Sequence, residues 1–487
     1  MFKRIVVSVL CSALCVLLTG CGDECSSAAD CANDKGAPAE GKVWACENKK
    51  CVQQDEGEPD PDPDPTDGGM TDGGTGGTTD GGPDTGMDGG MDAGVRPDAG
   101  TVAKGGECLN STECMGGLRC EGASCQALYL AMTATTNDGG TRAVAVRYDE
   151  PDAGPMELSE SASHTRFPRW NAAGTAVAFV EGPEGAAQLI TRAFPLPAGQ
   201  QTVLVEQAAA GTEDFLHMEW EPSGTIVWTR KSGASISGLS SIAAGGGTVA
   251  SVTPNGGFPS WSADGSSLAY NTAADGLVTV AATGGTATPV AGGTGGEQPI
   301  HNRANNQLLY LKANGTDAAI GALYELFTLP ASGGTASLIA AKTTEAGTGG
   351  SVESFVTQHT WSPNGTWVAY VRAYYSNPNA PNAPSVLCGT ATATACPARD
   401  ANVIFLRKIN PQTGAADGAE FQLVSGAALP SFSPDGTFIA YVKGRRLWVQ
   451  QLNPATGAAV GAAITHALGT DIQTSRGDDS RPRWQPR

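Results

Sequence analysis

The sequence predicts an all-β fold, a β-propeller of about seven, or alternatively six, four-stranded blades. Two small disulfide-rich modules and a disordered acidic linker are expected to precede the propeller. Two observations carry this prediction: a short window recurs along most of the chain, and the 487 residues include 65 Gly and 30 Pro with only 16% charged residues. Abundant turn formers between short apolar runs favour many strands and argue against a helical bundle.

The recurring window is clearest at residues 258–270, which read Phe-Pro-Ser-Trp-Ser-Ala-Asp-Gly-Ser-Ser-Leu-Ala-Tyr. Related windows begin at residues 167, 217, 298, 358 and 429, and a shortened copy occupies residues 481–487. Each window has an anchor residue, usually Trp, at the same place: Trp170, Trp220, Trp261, His301, Trp361, Phe432 and Trp484. The six intervals between the first and last anchors average about 52 residues, a period typical of propellers and solenoids.

Each window predicts a strand, a tight turn and a second strand. In a Ser-Pro-Asp-Gly turn, Pro presets φ, Asp bonds the backbone two residues on, and Gly adopts positive φ. We therefore expect Asp264 and Asp435 to hydrogen-bond within their own turns rather than to act as catalytic acids. An apolar strand such as 367–371 follows the turn, and a Gly-rich hairpin such as Gly284-Gly285 separates two further β-like runs. Four strands per repeat make one propeller blade.

The Ser-Pro-Asp-Gly signature, followed by an aliphatic residue, Ala and an aromatic residue, resembles the WD-like repeat of TolB-type propellers. The resemblance covers about residues 128–487 and implies a propeller domain at 126–487. TolB has an α/β domain before its propeller, where this chain has Cys-rich modules. TolB is also soluble in the periplasm, whereas this chain is expected to carry a lipid, so the resemblance implies the fold and not a Tol–Pal role.

The two ends of the repeat region are expected to share one blade. Residues 480–485 carry the first strand of a repeat, and residues 127–132, 141–148 and 156–158 read as a second, third and fourth strand. Pairing them gives seven blades and removes the open sheet edges that invite aggregation. If residues 480–487 were a loose tail, six blades would remain, as in TolB-type propellers.

The first twenty residues resemble a bacterial lipoprotein signal peptide. Lys3 and Arg4 precede a mostly apolar stretch at 5–18, too short for a permanent membrane span. Leu18-Thr19-Gly20-Cys21 resembles the lipobox, which implies cleavage before Cys21 and lipid attachment there. Because Gly22 and not Asp follows the cysteine, the resemblance favours the outer membrane. The alternative is an ordinary secretory signal with an incidental cysteine.

Ten further cysteines follow Cys21, and an exported chain favours disulfides over thiols. Modules at 21–51 and 105–125 each hold four, with first and last spacings of C-x5-C and C-x4-C in both, which suggests one module used twice. Four cysteines allow three pairings, which the sequence leaves open; a four-cysteine zinc site is the rival interpretation, although C-x2-C knuckles are missing. The predicted disulfide cysteines are Cys25, Cys31, Cys46, Cys51, Cys108, Cys114, Cys120, Cys125, Cys388 and Cys396.

Residues 52–104 form a low-complexity linker rich in Asp, Gly and Pro. Its thirteen acidic residues against Arg96 and Lys104 leave 11 of the 19 excess negative charges of the chain in this tract. With almost no large apolar residue, the tract cannot offset its ordering entropy and is predicted to be a disordered spacer. Calcium binding is the alternative, but the EF-hand pattern needs a terminal Glu and flanking helices.

Motifs of known enzymes are missing from the sequence. It has no G-x-S-x-G elbow, P-loop or H-E-x-x-H motif, and we predict no cofactor and no metal. His217 and His359 lie just before anchor residues and His301 replaces one, so structural packing is the expected role of all three. Their convergence on a metal in the propeller channel is the alternative.

The longest interval between anchors contains Tyr374, Tyr375 and the pair Cys388 and Cys396, which we expect to be bonded to each other. Two adjacent tyrosines in a pinned loop suit a binding surface, since loops on rigid scaffolds commonly carry function. The alternative is a long edge hairpin held by a disulfide, without a partner.

A net charge of −19 and a pI near 4.6 argue against nucleic acid as a partner. The expected function is a non-enzymatic, lipid-anchored protein of the cell envelope, held in the membrane by its lipid, whose propeller binds a protein or glycan. The alternative is an enzyme with its active site in the propeller channel, a polysaccharide lyase or metal-dependent hydrolase. Asp, Glu, His and Arg clustered on one channel face would favour the enzyme.

Overall fold

The computed structural model describes residues 42–47, 50–55, 100–136, 139–160, 164–183, 186–195, 201–206, 213–232, 235–379, 383–474 and 480–487. The chain divides into two compact units, Met1–Gly90 and Met91–Arg487. In the first unit, strands β1 (Lys42–Glu47) and β2 (Lys50–Asp55) form an antiparallel hairpin in which Cys46 and Cys51 occupy opposite backbone positions. The predicted signal peptide, Cys21, Cys25, Cys31 and most of the linker lie outside the described residues.

The second unit begins with the second Cys-rich module. A 3₁₀ turn at Ser111–Glu113 is followed by a hairpin of β3 (Leu118–Glu121) and β4 (Ser124–Ala127). Cys120 faces Cys125 in this hairpin, as Cys46 faces Cys51 in the first one. In the second module, Cys120 and Cys125 are not bonded to each other: the disulfides join Cys108 with Cys120 and Cys114 with Cys125. Of the three pairings left open, the structure selects first with third and second with fourth.

The remaining strands form the propeller. In chain order they are β5 (Tyr129–Thr135), β6 (Thr141–Arg147), β7 (Met156–Glu157), β8 (Arg166–Trp170), β9 (Ala176–Glu181), β10 (Gln188–Ala193), β11 (Gln201–Glu206), β12 (Glu213–Trp220), β13 (Thr225–Ser232), β14 (Ser235–Ala243), β15 (Ala250–Thr253), β16 (Gly257–Trp261), β17 (Ser267–Thr272), β18 (Gly276–Ala281), β19 (Thr288–Pro289), β20 (Gly296–His301), β21 (Gln307–Asp317), β22 (Gly321–Pro330), β23 (Ser337–Ala340), β24 (Thr343–Gly347), β25 (Gly350–Trp361), β26 (Trp367–Pro378), β27 (Val386–Leu387), β28 (Asn402–Lys408), β29 (Phe421–Ser425), β30 (Ala427–Phe432), β31 (Phe438–Lys443), β32 (Arg446–Leu452), β33 (Ala459–Thr465), β34 (Asp471–Ile472) and β35 (Arg483–Trp484).

These strands build seven antiparallel sheets, which are the seven blades. Blades 1 to 4 are β8–β11, β12–β15, β16–β19 and β20–β23, blade 5 contains β24–β29, and blade 6 is β30–β33. The closing blade combines β5–β7 with β34 and β35. The predicted all-β propeller is therefore confirmed, with seven blades rather than six. No helix in the described part of the chain has the length and hydropathy to cross a membrane.

The closing blade pairs residues from the two ends of the propeller. β35 lies antiparallel to β5, with Trp484 opposite Leu130, and β34 continues the same edge, with Ile472 opposite Ala134. Trp484 is buried against Tyr148 and Phe438, at centroid distances of 5.7 and 6.4 Å. The innermost strand of this blade is thus supplied by the C-terminal end of the repeat region, as the shortened seventh window predicts.

The repeated turns have the hydrogen bonds expected of Ser-Pro-Asp-Gly. Asp264 accepts from Ser262 Oγ at 2.7 Å and from the backbone of Ser266 at 3.0 Å, and Gly265 follows with φ of 67°. These hydrogen bonds, that from Ser262 first, lower the pKa of Asp264 to about 2. Asp435 accepts equivalent bonds within its own turn. The aspartates therefore hold turns together, as predicted.

Three of the five anchor tryptophans also connect neighbouring blades through a hydrogen bond. The indole N–H of Trp170 donates to the carbonyl of Arg483 at 2.9 Å, and that of Trp484 donates to Ser431 at 2.9 Å. Trp361 donates in the same way to Ile300 at 3.1 Å. In each case the acceptor lies one residue before the anchor of the preceding blade. These three anchors therefore tie the inner strand of their own blade to the inner strand of the preceding one.

In the closing blade, β35 and β5 come from opposite ends of the propeller sequence, so no turn joins them. The second Cys-rich module lies at this position. The backbone N–H of Gly117 donates to Asp435 Oδ2 at 2.5 Å, reaching the turn of blade 6. Arg119 donates to the carbonyls of Pro486 and Ala173, both at 3.0 Å, the second in the turn of blade 1. The module therefore contacts both blades that flank the closing blade. We define the seam as residues 100–130 and 480–487 together with Asp435.

Arg487 is the central side chain of the seam. Its guanidinium donates to the carbonyls of Leu118 at 2.9 Å and Cys114 at 2.7 Å, and also contacts the carbonyl of Ser111. The same guanidinium lies 3.6 Å from the buried carboxylate of Asp435. It thus connects the Cys-rich module to blade 6.

Blade 5 is enlarged by the insertion that the sequence places there. β24 pairs with the first residues of β25, and β27 pairs with the last residues of β26, so this sheet has six strands. A disulfide joins Cys388 with Cys396. Tyr374 and Tyr375 lie within β26 and are only 8% and 1% exposed. Of the two interpretations left open, this burial favours the long hairpin held by a disulfide over a binding surface built from the two tyrosine rings.

Candidate functional site

The inner strands of blades 1 to 6 share a β-bulge where they line the channel. In each strand the pairing register shifts between the residue four before the anchor and the residue one before it, and the two residues in between have no partner in the register. The bulge places a non-glycine residue at positive φ: Phe167, His217, Phe258, Gln298, Gln358 and Leu429. Such a conformation costs about 1–3 kcal/mol per residue and persists where surrounding contacts impose it. Near the bulge, the residues three and one before the anchor line the channel cavity in several blades.

Contacts between blades hold these bulges in place. The backbone N–H of Phe258 donates to Thr229 Oγ1 at 3.0 Å, and that of Leu429 donates to Gln358 Oε1 at 2.7 Å. Both acceptors belong to the preceding blade. The bulges of blades 3 and 6 are therefore held by contacts with the preceding blade.

A cavity of about 170 Å³ lies in the channel between these bulges. Blades 1 to 5 and the closing blade contribute its walls. Its charged lining residues are four arginines and one glutamate: Arg169, Arg303, Arg481, Arg483 and Glu219. With neutral histidines the lining therefore carries a formal charge of 4 − 1 = +3, whereas the whole chain carries −19.

Backbone carbonyls orient two of these arginines. Arg169 Nε donates to the carbonyl of Met218 at 2.7 Å and lies 4.0 Å from Glu219. Arg481 donates to the carbonyl of His359 at 2.8 Å, reaching from the closing blade past blade 6 to blade 5. Both arginines are only 4% exposed. Arg303 is exposed and forms no ion pair within the described part of the chain.

His301 occupies the anchor position of blade 4, where most other blades have Trp. It is 6% exposed, and neither ring nitrogen has a hydrogen-bond partner among the described residues. Burial, reinforced by the charge of Arg303, lowers the pKa of His301 to about 4. The ring is therefore neutral at pH 7 and keeps one N–H donor and one acceptor beside the cavity.

Aromatic and proline side chains form another wall of the cavity. His217 stacks on Phe258 with 3.6 Å between the ring centroids and 22° between the planes. Pro259, Trp261 and Pro299 continue the apolar surface. The cavity thus combines flat apolar faces with guanidinium donors, the mixture found in many ligand sites.

The predicted site residues are therefore only partly brought together. His217 and His301 line the cavity, and the ring of His359 lies 2.9 Å from the carbonyl of Gln298 behind it. Among the described residues, the one trio of metal-ligand side chains close enough to share an ion is Cys108, Cys114 and Cys125, whose sulfurs form disulfides. These histidines therefore do not assemble a metal site of three such ligands.

The sequence analysis missed the channel arginines. Arg169 and Arg483 lie one residue before an anchor, and Arg481 lies three residues before one. These two positions face the cavity in several blades. A comparison of the windows at these positions would have revealed the excess of arginine, but the bulge that directs both positions to one cavity is not visible in the sequence.

The fold and the channel define the class of protein: a seven-bladed β-propeller with a cationic channel cavity. Solved structures to which the chain is similar include TolB from Acinetobacter baumannii, at 13% identity over 74% of this chain and 67% of that one, with a TM-score of 0.38. An oligogalacturonate lyase in complex with manganese is 14% identical over 68% of this chain and 83% of that one, with a TM-score of 0.40.

A proposed 6-phosphogluconolactonase from Bacteroides fragilis is also similar, at 14% identity over 73% of this chain and 97% of that one, with a TM-score of 0.45. Neither a family model nor a curated protein sequence matches the chain. We assign the propeller from its strand pairing, and the similarities are resemblances to proteins of different functions.

Proposed function

We propose that the chain is a lipid-anchored protein of the bacterial outer membrane, attached through Cys21, whose propeller binds a protein or glycan partner without catalysing a reaction. The lipobox-like sequence at 18–21 supports the anchor. The acidic linker would separate the propeller from the membrane surface. The channel cavity is the proposed binding site.

The observation that carries this proposal is the chemistry of the cavity. Its lining gathers arginine donors and flat apolar faces, which recognise ligands, but includes a single carboxylate, Glu219. Hydrolases and lyases that use carboxylates need a pair of them, or a base with a pKa near the working pH. Glu219 lies 4.0 Å from Arg169 and has no second carboxylate beside it in the lining.

The enzyme alternative has one supporting observation. Arginine and histidine do cluster on one channel face, and a neutral His301 beside Arg303 could act as a base in a lyase. A base with a pKa of about 4 is weak at neutral pH. Incubation with acidic polysaccharides should therefore release no unsaturated sugar ends; release that His301→Gln abolishes would establish the enzyme.

Partner capture tests the binding function. Full-length protein extracted from membranes would be used to retrieve envelope components, with Arg303→Ser plus Arg483→Ser as the channel variant. Arg446→Ser is the matched control, because Arg446 is exposed and does not line the cavity. We expect a partner that the wild type and the control retain and the channel variant loses. Equal retention by all three proteins would contradict the channel as the binding site.

Attachment at Cys21 is tested separately. Cys21→Ser should leave an unprocessed precursor and abolish labelling by a fatty-acid analogue. Unchanged labelling and membrane partitioning of the variant would contradict the anchor.

A further inference from the structure

The anchor residues of blades 2, 3 and 4 differ from those of blade 1, blade 5 and the closing blade. In the latter three blades, the anchor indole donates to a carbonyl of the preceding blade. In blades 2 and 3, the indole nitrogens of Trp220 and Trp261 are buried without a hydrogen-bond partner among the described residues. The same holds for both ring nitrogens of His301, the anchor of blade 4.

Two of these three anchors line the channel cavity. Trp261 is 2% exposed and His301 is 6% exposed, and both belong to the cavity wall. A buried polar group without a partner costs free energy unless a ligand or water completes its hydrogen bonds. The backbone N–H of His301 donates to Ser260 Oγ at 2.9 Å, which ties its strand to the residue before Trp261. Two rings with unused hydrogen bonds are therefore held in adjacent blades at one cavity.

These unused hydrogen bonds define the chemistry of the ligand. The indole of Trp261 can only donate, whereas a neutral imidazole has one donor and one acceptor nitrogen. His301 is neutral at pH 7, because burial above all lowers its pKa to about 4. A carboxylate only accepts, so it would leave the acceptor nitrogen without a partner. A ligand with several hydroxyl groups satisfies all three positions, since each hydroxyl both donates and accepts.

The wall beside these rings is apolar. Phe258 and Pro259 occupy the bulge of blade 3, and Pro299 occupies that of blade 4, where the register leaves two residues without a partner. Proline has no N–H to lose there, so it is tolerated at a bulge. Aromatic faces carry partial negative charge and attract polarised C–H groups. A sugar ring has hydroxyl groups at its edge and C–H groups on its faces, so it matches both kinds of wall.

The volume of the cavity limits what can enter it. About 170 Å³ is less than the roughly 300–1,000 Å³ of ordinary small-molecule pockets, so one ring fits and an extended chain does not. Arg303 lines the cavity and is also exposed, so the cavity meets solvent beside it. A longer glycan would place its terminal ring inside and continue into solvent past Arg303.

We propose that the part of the channel cavity lined by blades 3 and 4 binds one uncharged sugar ring at the end of a glycan. Trp261 and His301 hydrogen-bond the hydroxyl groups of the ring, and Phe258, Pro259 and Pro299 contact its C–H faces. This inference rests on the proposed binding function and chooses a glycan over a protein as the partner. Neutral hexoses and N-acetylhexosamines share this chemistry, and the probes separate them.

The test uses full-length protein in an amine-oxide detergent, whose headgroup contains no sugar. The probes are trisaccharides of glucose, galactose, mannose and N-acetylglucosamine, with the galacturonate trisaccharide as the charged counterpart of galactose. Binding is followed through the indole N–H signals of isotopically labelled tryptophan in NMR spectra, and comparison with Trp261→Phe identifies the signal of Trp261. We expect at least one neutral trisaccharide to shift this signal and to bind more tightly than galacturonate.

Phenylalanine variants remove the hydrogen-bonding groups and keep a ring, and Phe432 is already the anchor of blade 6. Trp261→Phe and His301→Phe should each weaken the bound sugar about twofold to tenfold. His301→Gln, which keeps a donor and an acceptor, should lose less. Trp220→Phe is the matched control, because the indole nitrogen of Trp220 is also buried without a partner among the described residues but does not line the cavity. Its affinity for the sugar should equal that of the wild type.

Three results would overturn the proposal: no binding of any neutral trisaccharide, tighter binding of galacturonate than of galactose, or an equal loss of affinity in Trp220→Phe. If no sugar binds but partner capture still depends on Arg303 and Arg483, the binding function stands with a protein as the partner. Loss of that capture as well would overturn both.

Discussion

The seam and the insertion of blade 5 both carry disulfides, but the disulfides differ in what surrounds them. At the seam, Cys114 and Cys125 belong to one buried cluster with Leu130, Leu429 and Trp484, which come from the closing blade and blade 6. In the insertion, Cys388 and Cys396 pack with Val352, Tyr374 and Val403, which all belong to blade 5. A disulfide at the seam therefore supports ring closure, whereas the one in the insertion supports a local hairpin.

Trp484→Ala should have the largest effect on the seam. The substitution removes a buried ring that contacts Tyr148 and Phe438 and a hydrogen bond to Ser431, so we expect a loss of about 3–5 kcal/mol in unfolding free energy. Chemical denaturation of the purified protein measures the loss. Trp484→Phe, which keeps a smaller aromatic ring but lacks the indole N–H that bonds Ser431, should lose less, at least about 1 kcal/mol for the hydrogen bond. If deleting residues 480–487 left the melting temperature and the monomeric state unchanged, ring closure by these residues would be refuted.

Asp435→Ala should destabilise the protein more than the same change at Asp264. Both aspartates hydrogen-bond within their own turns, but Asp435 also accepts from Gly117 and lies beside Arg487. Removing a buried partner leaves Arg487 uncompensated, at a cost of about 3 kcal/mol. Thermal melts of the two variants give the comparison. Similar melting temperatures would show that the contacts across the seam add no stability.

Replacing the Cys114–Cys125 disulfide of the seam should cause the next largest loss of stability. Cys114→Ser with Cys125→Ser opens a bridge with a sequence separation of 11, for which chain entropy gives about 3 kcal/mol. Because the bridge supports the Cys-rich module under Arg487, we expect a lower melting temperature together with oligomers formed through the exposed sheet edge. Size-exclusion chromatography detects these oligomers. A variant that melts earlier but stays monomeric would show that the module stabilises the ring without protecting its edge.

Removing the disulfide of the blade 5 insertion should cause the smallest loss of stability. Cys388→Ser with Cys396→Ser opens a bridge with a sequence separation of only 8, worth at most about 2–3 kcal/mol by chain entropy. We expect faster proteolysis within residues 383–400 while the main unfolding transition stays nearly in place. A large fall in the main transition would mean that the insertion is coupled to the ring. Free thiols at both positions in exported protein would exclude the bridge.

The fold was predictable because its determinants are local and repeated. Within their turns, Asp264 and Asp435 accept hydrogen bonds from residues two positions before and two positions after them, so the repeated sequence reproduces the same bonds. The pairing of β35 with β5 was also predictable. The last repeat supplies only the first strand of a blade, and the start of the repeat region supplies the other three strands, so the two parts complete one blade. Local patterns that recur are read directly from a sequence.

The cavity was not predictable in the same way. Arg303 and Arg481 are far apart in sequence, and both line the channel cavity because the fold places their blades around it. The burial of Tyr374 and Tyr375 was left open for a related reason: it depends on an extended hairpin and on a polar contact from Tyr375 to Glu353 at 2.5 Å. Side-chain exposure in an insertion is decided by its tertiary neighbours, which composition does not report.

The seam also determines the order in which the protein can be completed. Gly117 binds Asp435 across 318 residues, and Arg487 binds Leu118 across 369 residues. During synthesis, blades 1 to 6 can form one after another, but the edge of β5 stays unpaired until β34 and β35 emerge. Such long-range pairing slows folding and exposes sheet edges to other chains. A chaperone that shields β5 during this interval would raise the yield of the protein without contacting its finished form.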